Sequence, residues 1–367
     1  MPDSKDQHHL IIIFEFLKVF FFIYCFLVSV DMMGIAFKAS GKGFIDSIMI
    51  ATSNPFIGLI IGIVATSIIQ SSSSTTSLIV VMVAAGAISL KSAIPMIMGA
   101  NIGTTVTNTI VSFGYIGRKI EFERAFGGAI VHDMFNIYAT IILFPLELYF
   151  GLIYKSARFL EKIFEGIGGF KFISPLKMIV HPVAEAVNGI VGNHIILLIV
   201  ALACLFFSMS RIVDNMKGIV MEKIESFLNQ FLFKNALISF MFGIFFTAMV
   251  QSSSITTSII VPLVGAGLIT IEQIFPYTLG ANIGTTITAM LAALSLTMGK
   301  EAAITVAFAH LMFNIFGICI VYPFKQLPIW TAKSVAKFVV ISKKNFLIFI
   351  IIYLALHFVP IIFAFIF

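Results

Sequence analysis

Charge is scarce in this chain. Only 11% of its 367 residues are Asp, Glu, Lys or Arg, against 59% hydrophobic, and the mean hydropathy is +1.08. A soluble domain of this length carries roughly a quarter charged residues, so the soluble class is excluded. Cysteine is nearly missing too. Cys25, Cys204 and Cys319 each lie in apolar sequence, which leaves no disulfide framework, zinc spacing or redox motif. Neither a Gly-x-Ser-x-Gly elbow nor a His-Glu-x-x-His pair occurs, which ranks an intramembrane enzyme last among the functions considered.

What is present is a succession of apolar runs. Residues 10–30, 195–210, 302–322 and 346–367 are examples, near the length of about 20 residues that crosses a bilayer. The 40 Phe and 26 Gly suit lipid-facing surface and close helix packing. The first ten residues are polar. The run behind them holds Glu15 and Lys18 with no small-residue cleavage site, so it reads as a retained helix rather than a signal peptide. A net charge of +6 would suggest nucleic acid in a soluble protein. Here the cations sit in short connectors: Arg118, Lys119 and Arg124; Lys217, Lys223 and Lys234; Lys333, Lys337, Lys343 and Lys344. That distribution fits cytoplasmic loops, and no nucleic-acid partner is expected.

Self-similarity decides the architecture. Gln70-Ser71-Ser72-Ser73 recurs as Gln251-Ser252-Ser253-Ser254, an offset of 181. At the same offset the run Gly99-Ala100-Asn101-Ile102-Gly103-Thr104-Thr105 recurs as Gly280-Ala281-Asn282-Ile283-Gly284-Thr285-Thr286. Gly86 and Pro95 match Gly267 and Pro276. Further on, at an offset of 178, His132-x-Met134-Phe135-Asn136 recurs as His310-x-Met312-Phe313-Asn314, and Pro145 matches Pro323. The chain is a duplication.

Each half follows one plan: an outer helix, a broken apolar segment around the Gln-Ser-Ser-Ser motif, then a Gly-Ala-Asn-Ile-Gly-Thr-Thr helix and a His-x-Met-Phe-Asn helix. Residues 56–69 and 78–87 are apolar but too short to span about 30 Å each. They read as a hairpin that dips in and turns back, with the serines at its tip. Each half then crosses three times, which inverts the second half relative to the first. The expected fold is an all-α polytopic membrane protein of two inverted-topology repeats, each with a re-entrant hairpin, plus a final C-terminal helix. The boundaries are 1–150 for the first repeat, 151–192 for the connector, 193–324 for the second repeat, and 325–367 for a basic connector and last helix. Residues 211–235 read as an amphipathic interfacial helix. Seven crossings with a cytoplasmic N-terminus put the 118, 211–234 and 325–344 connectors inside and leave the lysines of 155–177 outside.

The polar motifs suit ions. A helix start within apolar sequence exposes unpaired N–H groups that favour anions, and the hydroxyls of Ser71, Ser72, Ser73, Ser252, Ser253 and Ser254 add donors. Two such tips facing each other encircle a tetrahedral anion without a fixed cation. Sodium prefers oxygen ligands, and the Gly-Thr-Thr steps with Asn101, Asn282 and the two Gln supply them. Asp133, in an apolar helix, is a candidate cation ligand by default. The plainer alternatives are serines that bond back to their own helix, Gly-x-x-x-Gly spacings that serve close crossing, and His132 and His310 as helix–helix hydrogen-bonding residues.

These motifs closely resemble the type II sodium-phosphate cotransporter family, whose hallmark is the paired Gln-Ser-Ser-Ser motif, each followed by a Gly-(Ala/Ser)-Asn-Ile-Gly-Thr block. The likeness runs through residues 106–111, through Val131-His132-Asp133 and Ala292-Ala293-Leu294, and covers residues 54–323. The resemblance implies uptake of inorganic phosphate with sodium as co-substrate across the plasma (inner) membrane, with no further cofactor. It implies phosphate contacts from Ser71–Ser73 (71–73) and 252–254. It also implies a sodium site at Gln251, Ser252, Thr285 and Thr288, a symmetry-related polar region at Gln70, Thr104 and Thr107, and an additional sodium at Asp133, as in electrogenic members. The halves are not equal, since Ile255 stands where Ser74 would repeat. The connector 150–192 is short and cysteine-free, unlike the long disulfide-bonded loop of animal members. Another small anion, such as a dicarboxylate, or a gated channel are the competing readings.

Overall fold

The computed structural model describes residues 4–167, 169–230 and 235–366. All regular structure among them is helical. In chain order the helices are α1 (Ser4–Ala39), α2 (Lys42–Ala51), α3 (Pro55–Ile69), α4 (Ser72–Ala84), α5 (Leu90–Gly103) and α6 (Val106–Ser112). Then come α7 (Lys119–Phe150), α8 (Leu152–Gly166), α9 (Gly169–Val191), α10 (His194–Gln230), α11 (Ala236–Val250) and α12 (Ser253–Ser258). The last are α13 (Val261–Gly265), α14 (Ile271–Ser295), α15 (Lys300–Val321), α16 (Gln326–Ile341) and α17 (Lys343–Ile366).

Five helical stretches among the described residues are long and apolar enough to cross a membrane: Leu17–Ala39, Lys119–Phe150, His194–Asn215, Ile271–Ser295 and Lys300–Phe324. This is an all-α membrane protein. The first outer helix runs on past residue 30 to Ala39. In the first half the helix of the Gly-Ala-Asn-Ile-Gly motif stops at Gly103 and restarts as α6, whereas α14 continues unbroken through the second copy. The connector 151–192 is not loop but α8 and α9. Ile153 and Ala157, one turn apart, bury one face of α8 while Lys155 and Lys162 point away, a helical period that interspersed charge obscures. Residues 211–230 continue α10 without a break. The remainder of that expected interfacial segment, 231–234 with Lys234, lies outside the described residues, as do residues 1–3, 168 and 367.

Matched residues of the two halves build matched local structure. Asn54 caps α3 by accepting from Phe56 N at 2.9 Å, and Asn235 caps α11 by accepting from Leu237 N at 2.8 Å. Each side chain takes one of the N–H groups that a helix start leaves free. Both helices end on a glutamine in left-handed backbone, Gln70 at φ 57° and Gln251 at φ 60°. These are the non-glycine residues of positive φ among those described. Such a conformation costs a residue with a Cβ about 1–2 kcal/mol. The next helices begin at once, on Ser72 and Ser253. Further on, Ser89 caps α5, and Thr270 caps α14 with Gln273 returning the bond as a capping box.

The glycine pattern fixes how these pieces stack. A Cβ on Gly99 would overlap the carbonyl of Leu59, and one on Gly280 would overlap the carbonyl of Phe240, the residue matched to Leu59. Gly62 and Gly243 stand equally close to the backbones of Met96 and Tyr277. So α3 lies backbone-to-backbone on α5, and α11 on α14, as small residues permit in membrane helices. Close crossing accounts for the Gly-x-x-x-Gly spacings.

Substituting Gly99→Ala or Gly280→Ala should therefore force these pairs apart and cost about 1–3 kcal/mol. In thermal unfolding of the detergent-purified protein each should fall several degrees below the parent, while Gly114→Ala, whose Cβ meets open space, should not. Equal midpoints for all three would contradict this packing.

Candidate functional site

The two Gln-Ser-Ser-Ser turns come together inside the helical body. Ser73 Oγ donates to the carbonyl of Gln251 at 2.7 Å, so the start of α4 touches the left-handed turn before α12. From the other side Ser254 Oγ donates to the carbonyl of Thr104 at 3.2 Å, beyond the end of α5. Ser72, Ser73, Ser74, Ser252, Ser253 and Ser254 are all buried, and Ser71 partly so. Ser71 caps α4, its Oγ accepting from Ser74 N at 3.2 Å.

The hydroxyls downstream of each turn bond back along their own helices. Thr76 donates to Ser72 O at 2.8 Å and Ser77 to Ser73 O at 2.7 Å. Thr257 donates to Ser253 O at 2.7 Å and Ser258 to Ser254 O at 2.5 Å. For Thr76 and Ser77 the plain helical role holds, whereas Thr257 and Ser258 also bond to Asn108 of the other half. By contrast, the hydroxyls of Ser72, Ser252 and Ser253 make no hydrogen bond among the described residues. Three hydroxyls without a protein partner at one meeting point of two turns make this the candidate site.

The candidate sodium ligands fall into three groups. Gln251 is buried; its Oε1 accepts from Thr288 Oγ1 at 2.8 Å, and its Nε2 donates to Ala248 O at 2.6 Å. Thr285 lies one turn before Thr288 and bonds back to Ala281 O at 3.0 Å. The first-half counterparts are not brought together in this way. Gln70 is exposed, Thr104 bonds back to Ala100 O at 2.8 Å, and the buried Thr107 hydroxyl has no partner among the described residues. Asp133 belongs to the second group. It is buried on α7, where the Thr105 hydroxyl donates to Oδ1 and Tyr353 of α17 donates to Oδ2 at 3.4 Å. Thr109 lies 3.4 Å from the same tyrosine oxygen.

Asn101 and Asn282 sit in a third, central network. His132 Nε2 contacts Asn282 Oδ1 at 2.6 Å, Asn282 Nδ2 donates to Asn136 Oδ1 at 2.8 Å, and Asn136 Nδ2 donates to Asn101 O at 2.8 Å. This chain crosses from one half to the other. In the second half both ring nitrogens of His310 and the Oδ1 of Asn314 are buried without partners among the described residues. Asn282 takes part through its side chain, and Asn101 through its carbonyl, its own side chain bonding back to Ile97 O at 2.9 Å.

Several residues escaped the reading of the sequence. Asn108 joins the halves, its Nδ2 2.8 Å from Thr257 Oγ1 and its Oδ1 accepting from Ser258 at 2.8 Å. It has no repeat counterpart, since Ala289 stands at the matched position. Tyr353 lies on the last helix, outside the duplication. Asp31 is a second buried carboxylate, 2.8 Å from His181 Nδ1. The rule that singles out Asp133 applies to it equally, but it falls one residue past the expected end of the first helix.

The profile of the Na+/Pi-cotransporter family matches residues 25–174 and 204–339, more than half of the chain. The chain belongs to this family. Its relatives include sodium-dependent phosphate transport protein 2A of Rattus norvegicus, 33% identical over 397 residues, covering 86% of this chain and 62% of that protein. Sodium-dependent phosphate transport protein 2B of Homo sapiens is 31% identical over 413 residues, covering 85% and 60% respectively. The 2B protein of Bos taurus is 30% identical over 444 residues, covering 94% and 63%. This family member therefore spans about three-fifths of the length of the relatives it matches. No solved structure matches it.

Replacing each left-handed glutamine by glycine should have opposite effects in the two halves of this family member. Gln70→Gly relieves backbone strain and sacrifices an exposed side chain, so stability should rise by about 0.5–1 kcal/mol. Gln251→Gly relieves the same strain but leaves the Thr288 hydroxyl unpaired, at about 1–3 kcal/mol, so stability should fall or at best hold. Thermal unfolding of both variants checks the signs, and two equal rises would contradict the assigned asymmetry.

Proposed function

We propose that the chain is a secondary carrier that couples sodium entry to the uptake of inorganic phosphate across the plasma membrane. The observation that carries this reading is the meeting of the two serine turns, with the hydroxyls of Ser72, Ser252 and Ser253 left without protein partners. Hydroxyls and helix starts suit an oxyanion, and the printed names of the family relatives are those of sodium-dependent phosphate transporters. In this reading Ser71, Ser72, Ser73, Ser252, Ser253 and Ser254 hold phosphate. Gln251, Ser252, Thr285 and Thr288 hold sodium, Gln70, Thr104 and Thr107 form the matched polar region, and Asp133 takes a further sodium. Asn101 and Asn282, the matched asparagines of the two halves, belong to the same sodium-binding set.

The carrier works by alternating access between two inverted repeats, residues 1–150 and 193–324, joined by 151–192 and followed by 325–367, with the N-terminus in the cytoplasm. The turns at Gln70 and Gln251 are the tips of re-entrant hairpins. Two features support this scheme. First, matched residues differ in their bonding: Gln251, Thr288, the Nε2 of His132 and Asn136 are engaged, whereas Gln70, Thr107, both nitrogens of His310 and the Asn314 oxygen are not, the His132 Nδ1 being a further orphan. Each buried orphan costs about 1–3 kcal/mol, a cost that a second conformation with exchanged partners would move to the other half. Second, two cavities occupy matched places. One of about 560 Å³ is lined by Leu90, Arg158, Lys300 and Ala302, and one of about 250 Å³ by Ile271, Arg124 and Lys333. Ile271 matches Leu90, and Arg124 matches Ala302. Their charge is mixed: Glu165 and Glu301 also line the first, and Lys333 is paired with Glu272 in the second. The serines line neither.

A cycle that moves net positive charge inward gains about 2.3 kcal/mol per charge per 100 mV. Proteoliposomes of the purified protein should accumulate labelled phosphate under an inward sodium gradient, and an equal potassium gradient should fail. Excess unlabelled phosphate should compete while dicarboxylates do not. Asp133→Asn should keep the fold and lose most of the sodium-dependent current. Uptake indifferent to sodium would contradict the coupling, and dicarboxylate competition would favour the other-anion reading.

A further inference from the structure

A cavity of about 740 Å³ lies away from the serine turns, between the start of α7, the end of α16 and the start of α17. Its walls are mostly apolar, with Phe122, Phe346 and Leu347 among them, and Lys119, Ser342 and Lys343 supply the polar lining. Phe346 fixes the geometry. Its ring centroid is 5.6 Å from that of Phe113 and 6.2 Å from that of Phe122, both edge-on. Lys343 precedes Phe346 by three residues and Lys119 precedes Phe122 by three, close to one helical turn each. Both ammonium groups therefore stand on the same side of the aromatic contact. Lys119 also opens the candidate membrane span Lys119–Phe150, so the cavity lies at one end of that span.

The charge around it has one sign. Residues 116–122 and 339–347 contain Arg118, Lys119, Lys343 and Lys344 against a single carboxylate, Glu121. Glu121 is held by Arg118 at 2.9 Å. Neither Lys119 nor Lys343 has a carboxylate partner among the described residues. A lysine at a helix end ordinarily snorkels to water on its own. Two lysines from helices more than 200 positions apart, turned onto one apolar cavity, are a different arrangement. It matches an amphiphile with an anionic head. A neutral lipid makes no use of the cations, and a free small anion makes no use of the apolar walls.

We propose that this cavity is a binding site for an anionic phospholipid, its phosphate between Lys119 and Lys343 and an acyl chain along Phe122, Phe346 and Leu347. Basic pockets between membrane helices bind such headgroups, each nearby cation contributing about a fivefold preference. The lipid bridges α7 and α17, the two helices that meet again at Asp133 and Tyr353. The inference does not depend on what the protein carries.

Native mass spectrometry of the full chain, purified in detergent and titrated with phosphatidylglycerol or phosphatidylcholine, tests it. The parent should retain phosphatidylglycerol in preference. The double variant Lys119→Gln/Lys343→Gln should lose roughly 25-fold of that binding, about fivefold for each lysine, with phosphatidylcholine unchanged, and Lys119→Arg/Lys343→Arg should keep it. Equal retention of the two lipids by the parent would overturn the proposal without reference to any variant. So would undiminished phosphatidylglycerol binding by the folded glutamine variant, or displacement of the lipid by millimolar inorganic phosphate.

Discussion

A helix that begins or ends inside an apolar body leaves backbone groups that water cannot reach, and everything else in this molecule accommodates that fact. Two helices, α3 and α11, stop on a glutamine in left-handed backbone, and two others start on the serines that follow. Partners from the opposite half close one of these turns and one further helix end: Ser73 donates to the carbonyl of Gln251, and Ser254 to that of Thr104 after α5. Unpaired groups in such surroundings cost several kcal/mol. The two halves therefore complete each other. The hydroxyls that remain over at the junction are what give the site its chemistry.

The duplicated sequence does not produce a symmetric structure. The caps, the positive-φ glutamines and the glycine crossings repeat closely, because they are set by local backbone needs and by contacts within one half. The long-range polar contacts do not repeat. His132 reaches Asn282, while the matched pair His310 and Asn101 makes no such bond. Asn108 braces Thr257 and Ser258, and its matched position is an alanine that can brace nothing. Local geometry is conserved between halves; partners across the interface differ. That division is what a protein with two closely spaced conformations requires, since bonds that must exchange cannot all be made at once.

Much of this was legible in the residues. The twin Gln-Ser-Ser-Ser motifs placed the turns, Gly99 and Gly280 announced close crossings, and the apolar context of Asp133 marked it as buried. What escaped was set by three-dimensional proximity. Charge interspersed in 151–192 concealed two helices, and a fixed helix length hid Asp31, which a longer α1 buries beside His181. Tyr353 could not be reached by comparing halves, because the last helix lies outside the duplication. Its role follows only from where α17 lands against α7. Nor could composition distinguish Gln251, drawn inward to Thr288, from Gln70, which faces outward.

The central claim is that serines from both halves grip one anion. The most direct measurement is a double-substitution cycle on sodium-dependent phosphate uptake, with Ser72→Ala, Ser253→Ala and the pair together. If both hydroxyls hold the same phosphate, each single change removes most of the uptake and the pair loses little more, giving a coupling of about 0.5–3 kcal/mol. Independent, multiplying losses, or no loss at all, would contradict the account.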